Sequence, residues 1–135
     1  MMEEIDYKEQ LLAINQECCE MQTFLETKVE NGDIDAIVGR LSEINVYLAR
    51  STKLLSDIKY IQDTQQKLFI EANLGKLSSF PATTQKVMIQ SATADVNYFV
   101  NWLDRLNRSF VHIGDNMRTQ ISFEKENLRL TKSGY

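Results

Sequence analysis

Apolar residues recur along this chain in alternating steps of four and three, the spacing that keeps side chains on one face of an α-helix. Tyr7, Leu11, Ile14, Cys18, Met21 and Leu25 form a first stripe. Ile34, Ile37, Leu41, Ile44, Leu48, Ser51, Leu55 and Ile58 form a second, and Val96, Phe99, Leu103, Leu106, Phe110, Ile113 and Met117 a third. Each stripe outlasts two heptads, the pattern of helices packed in left-handed bundles.

Two stretches interrupt the periodicity. Asn31-Gly32-Asp33 offers residues that end a helix in the left-handed conformation, followed by an N-cap. Leu74–Thr84 holds Gly75, Ser78, Ser79 and the only proline, Pro81, with Thr83 or Thr84 placed to cap the next helix. The pattern predicts helices over about 3–30, 34–73 and 84–129, then a frayed tail over 130–135. With 135 residues the chain is expected to be one domain, 1–135, of the all-α class. The expected architecture is an antiparallel up-down-up three-helix bundle with coiled-coil-like packing.

Tight turns at the two breaks would bring the stripes level with one another. The expected layers are Met21, Leu41 and Ile113; Ile14, Leu48 and Leu106; and Tyr7, Leu55 and Phe99. A further layer of Leu11, Ser51 and Leu103 has a small polar member, whose hydroxyl should bond its own preceding turn. Gly39 and Gly114 fall at one level. Each costs about 1 kcal/mol relative to Ala, so either close packing compensates or the cost is simply tolerated.

The second helix is longer than the first, so a hairpin between the second and third should project beyond it. That projection carries Ile61, Leu68, Phe69, Ile70, Leu74, Leu77, Phe80, Val87, Met88 and Ile89. Either its own loop folds back over the tip or another chain covers it. Tyr47, Leu54, Ile61 and Leu68 repeat every seven residues beside the main stripe. They read either as a wide core face touching two neighbours or as a surface for self-association. Together with Phe69, Phe80, Met88 and Trp102 they are the candidate interface residues, Trp102 fitting a bundle edge or an interface anchor equally.

Charge is unevenly spread. Residues 1–35 hold ten acids against Lys8 and Lys28, whereas residues 36–135 hold thirteen bases against nine acids. The overall charge of −4 disfavours sequence-blind nucleic-acid binding. The third helix nevertheless presents Arg105, Arg108, His112, Arg118, Lys125 and Arg129 on its polar side. That side is a solvated face or a candidate anion-binding one.

Little here resembles catalytic chemistry. Cys18 and Cys19 are adjacent and point about 100° apart on a helix, so a strain-free bridge between them is not expected. Reduced thiols fit a cytoplasmic setting. His112 is the only histidine, which rules out the paired Glu-x-x-His ligands of di-metal bundles; its expected partners are Asp115 or Asp104. No glycine-rich phosphate loop, nucleophile elbow or HExxH occurs. No cofactor, no metal and no enzymatic activity are expected. The first ten residues are acidic without an apolar core, and no run approaches about 18 apolar residues, so neither a signal peptide nor a membrane span is expected.

The segment Trp102-Leu103-Asp104-Arg105-Leu106-Asn107-Arg108, with Asp115-Asn116-Met117-Arg118-Thr119-Gln120-Ile121-Ser122-Phe123-Glu124-Lys125-Glu126, is similar to the C-terminal helix of small helical proteins of tailed phages and prophages. Those often end in an Arg-Thr-x-Ile-Ser-x-x-Lys-x-Glu-like run. The resemblance covers about a quarter of the chain and implies a phage or mobile-element setting in a host cytoplasm; it transfers no site residue. The expected function is a non-enzymatic helical protein that binds a protein partner or itself. Two alternatives are an inhibitor of a host defence enzyme and an accessory nucleic-acid-binding protein of phage recombination or replication.

Overall fold

The computed structural model describes residues 7–28 and 33–132. Among them the chain is all-helical: α1 (Lys8–Glu26), α2 (Ile34–Ala72), α3 (Leu74–Leu77), α4 (Ala82–Ala92) and α5 (Ala94–Lys132). No described helix is long and apolar enough to cross a membrane.

The stripes face inward. Tyr7, Ile14, Cys18 and Met21 from α1 meet Ile44, Leu54, Ile58 and Ile61 from α2 and Val96, Leu103, Leu106 and Phe110 from α5 in one buried cluster. Leu11, Leu25, Leu48, Leu55, Phe99, Ile113 and Met117 pack against its edge. Burying each large apolar side chain contributes roughly 1.5–3 kcal/mol, so these stripes carry most of the stabilisation.

Helices α2 and α5 run side by side in opposite directions. Arg118 Nη2 donates to Asn45 Oδ1 at 3.1 Å, Asn107 Nδ2 to Ser51 Oγ at 3.0 Å, and Gln62 Nε2 to Asn97 Oδ1 at 2.7 Å. The backbone of α1 packs close to α5 and stands further from α2. It reaches α2 through side chains, with the Arg50 guanidinium forked onto the Glu17 carboxylate at 2.7 and 2.9 Å.

Asn107 meets Ser51, and a Cβ on Gly114 would lie 3.7 Å from Ile44 and 3.8 Å from Leu41. Phe110 stacks on Tyr47, ring centroids 5.7 Å apart. The connections differ from the tight turns expected. Helix α1 ends at Glu26 rather than near 30, because Arg40 of α2 donates to the carbonyls of Phe24 and Thr27 and lies over the Phe24 ring. A guanidinium on the last carbonyls closes a helix by satisfying its orphan acceptors. Seven residues then separate α1 from α2, too many to impose a level.

Asp33 caps α2 as expected, accepting from the Asp35 and Ala36 amides at 3.0 and 3.3 Å. Residues 3–6 and 29–32, where the sequence predicts the start and end of the first helix, lie outside the described residues. The second break contains α3, whose Leu77 is buried. Pro81 rather than Thr83 or Thr84 stands at the N-cap of α4, and both threonines lie inside the helix.

The third predicted helix is divided at Thr93. Its hydroxyl donates back to Ile89 O at 3.0 Å, and the Asn97 amide group donates to Gln90 O at 3.2 Å, taking an acceptor that a continuous helix would give to Ala94. At the other end α5 stays helical to Lys132, so residues 130–132 of the predicted frayed tail are ordered as helix; 133–135 lie outside the described residues.

Gly39 and Gly114 do not share a close approach. A Cβ at Gly39 would meet nothing within 4 Å, whereas Gly114 is buried against Leu41 and Ile44. Ser51 behaves as expected, donating to Leu48 O at 3.0 Å.

Candidate functional site

The heptad line beside the main stripe of α2 is mostly core. Leu54 is 3% and Ile61 4% exposed, and Tyr47 is half-buried with its ring 4.6 Å from Phe24 and stacked on Phe110. Helix α2 needs this second face because α1 and α5 approach it from different sides. Leu54 and Ile61 are thus almost wholly covered within the chain. Leu68 is half-buried. Trp102 is also tied internally: its indole Nε1 donates to Gln22 Oε1 of α1 at 3.1 Å, and its ring stacks on Phe99.

At the tip, α3 and α4 fold over the end of α2. Gln85 Nε2 donates to the carbonyls of Leu77 and Phe80, each at 2.8 Å, which closes the loop around Pro81. Phe69 and Met88 become half-buried, whereas Phe80 stays 39% exposed, and Leu74 and Val87 more so. No side chain of α4 is fully buried.

The polar side of α5 is exposed along its length, but its cations are not a bare array. Arg108 pairs with Asp104, Arg118 with Asp115 and Arg129 with Glu126, each one turn away on the same helix. Arg105, His112 and Lys125 are exposed. The two carboxylates expected to hold His112 are engaged by arginines instead. Such exposed i,i+3 and i,i+4 pairs contribute only a few tenths of a kcal/mol.

Cys18 is buried and Cys19 exposed, both free. Burial, reinforced by neighbouring Cys19 and Glu17, pushes the Cys18 thiol up to about 12, which makes it a packing residue rather than a nucleophile. Among the described residues no cluster of three His, Cys, Asp or Glu side chains is arranged to hold a metal ion.

Two features escape the stripe pattern. The first is a groove of about 440 Å³ between α1 and α2, lined by Tyr7, Ala13, Ile14, Leu54, Tyr60 and Ile61, with Gln10, Glu17, Arg50 and Asp57 at its polar margin. It exists because α1 leans on α5, and its only signal in the sequence is the small Ala13 beside the stripe. The second is the end of α5. With Gly114 against Leu41 and Ile44, the start of α2 at Ile34 lies level with the turn near Ile121–Glu124. Every described residue after Glu124 is exposed, including Leu128 at 52%. The seam of α5 therefore outruns α2. Comparison of the chain with protein-family models, curated proteins and solved structures finds no match.

Proposed function

We propose that this chain is a non-enzymatic helical interaction protein of phage or mobile-element origin, in which α1, α2 and α5 form an up-down-up three-helix bundle. The observation that carries the reading is the run of α5 past its neighbours. A 39-residue helix whose last turns carry the exposed Phe123 and Leu128 holds apolar area that a second protein can cover. The antiparallel bonds between α2 and α5 and the Glu17–Arg50 bridge support the bundle topology. The acid–base groups are dispersed on solvated helix faces, and the one strongly shifted thiol is moved toward inertness, so the described surfaces favour binding over catalysis.

Light scattering on the purified chain across a wide concentration range, alone and with candidate partners, tests this reading. A mass that rises with concentration, or a defined complex, supports it. A strict monomer that binds nothing removes it. The accessory nucleic-acid role is weaker, since three of the six candidate cations are paired with carboxylates on their own helix. Absence of salt-sensitive binding to single-stranded and duplex DNA ends it.

A further inference from the structure

We propose that the end of α5 in one molecule docks into the α1–α2 groove of a second copy, head to tail. The proposal deepens the interaction reading above and rests on it.

Ile121, Lys125, Leu128 and Lys132 follow one another at steps of four, three and four, so they share a single face of α5. That face continues the core seam of Leu103, Phe110 and Met117. Ile121 is still half-buried, but Leu128 is 52% exposed, because α2 has ended. Beyond Ile121 the face therefore alternates cationic and apolar side chains, exposed among the described residues. The groove offers the complement. Its floor is the nearly buried Ile14, Leu54 and Ile61, its open rim has the small Ala13 and the 70% exposed Tyr60, and its polar margin holds Glu17 and Asp57 with Arg50. Those two carboxylates already engage Arg50 and Lys53, but α1 as a whole carries Glu9, Glu17, Glu20 and Glu26 against Lys8. Residues 118–132 carry Arg118, Lys125, Arg129 and Lys132 against Glu124 and Glu126. An acidic helix beside the groove thus meets a basic helix end.

Charge complementarity points to a second copy as the occupant, and geometry excludes the molecule's own α5. The groove lies along α2 at Leu54–Ile61, some 20 residues or more from Ile34, which at 1.5 Å per residue is roughly 30–40 Å. Among the described residues the end of α5 runs past Ile34, pointing away from its own groove. It cannot fold back without breaking α5, so the groove it enters belongs to another molecule. Two different surfaces that meet in this way form a heterologous contact, which propagates into rings or open chains rather than stopping at a symmetric dimer.

Two variants at exposed positions test this. Lys125→Glu with Leu128→Glu spoils the helix end and leaves the groove intact; Ala13→Trp fills the groove and leaves the helix end intact. Circular dichroism checks that both remain helical. The wild-type chain should assemble beyond a dimer by sedimentation velocity, more weakly as salt is raised. Each variant alone should lose at least about tenfold in association, as expected for removal of a central anchor. Mixing the two should restore a one-to-one dimer and nothing larger, since each variant retains the surface the other lacks. A wild-type chain that stays monomeric at every concentration overturns both this inference and the self-association behind it. Assembly that survives both variants, or variants that fail to rescue each other, overturns the docking alone and leaves the interaction reading standing.

Discussion

Asn107 of α5 reaches across the bundle to the fully buried hydroxyl of Ser51 on α2, its Nδ2 3.0 Å from Ser51 Oγ and 2.8 Å from Thr52 Oγ1. Ser51 in turn donates to Leu48 O. This small polar chain crosses an otherwise apolar seam and can be satisfied at only one level of the two helices. A slip by one turn would leave the Asn107 amide short of both acceptors, so the pair selects register as well as adding stability.

Replacing Asn107 with Leu is therefore expected to cost about 0.5–1.5 kcal/mol, the net worth of an ordinary hydrogen bond, since Ser51 keeps its bond to Leu48 O. Urea denaturation measures it. The double replacement with Ser51→Ala should recover part of the loss, because both partners are then gone; a double variant no better than Asn107→Leu would show that the bonds do not matter.

Arg40 closes α1 from outside. Its guanidinium donates to Phe24 O and Thr27 O and lies 3.4 Å over the Phe24 ring. Arg40→Ala should destabilise by about 1–2 kcal/mol and abolish hydrogen-exchange protection in the last turn of α1. Arg40→Lys should restore little, because an ammonium cannot both fork to two carbonyls and stack on a ring.

The two helical glycines should respond differently. Gly39→Ala meets open space and is expected to raise stability by about 1 kcal/mol through backbone entropy alone. Gly114→Ala should give more, since the new methyl is buried in ordinary van der Waals contact with Arg118, Ile44 and Leu41. Equal gains in thermal denaturation would contradict the difference in their surroundings.

The adjacent cysteines should separate by reactivity. In the native protein a thiol reagent should titrate Cys19 rapidly and reach Cys18 only on unfolding. Folding raises the Cys18 value from 9.0 to about 12, so the folded state binds that proton more tightly than the unfolded one. Its contribution to stability is then complete below pH 9 and lost as pH rises from 9 toward 12. Cys18→Ala should flatten that alkaline limb, which pH-dependent denaturation measures.

Much of this was legible in residue order. The period of the stripes placed Ile14, Met21, Ile44, Ile58, Leu103 and Phe110 inward, and Asp33 at a helix start, because helical geometry depends only on local spacing and capping chemistry. Leu54 and Ile61 admitted both a core and a surface reading from sequence. Only the position of α1 made them core, since burial depends on which neighbour arrives. The split at Thr93 was invisible because no proline or glycine marks it; it comes from side chains of Thr93 and Asn97 competing for backbone carbonyls.

Residue order thus determined that the chain is helical and which face of each helix is apolar, because both depend on contacts within a few residues. The level at which the helices meet, the groove beside Ala13 and the exposed end of α5 were decided only by tertiary structure. The connections between the helices are long enough to permit several levels. The choice among them falls to long-range contacts such as Ser51 with Asn107 and Arg40 with Phe24, which no local pattern encodes.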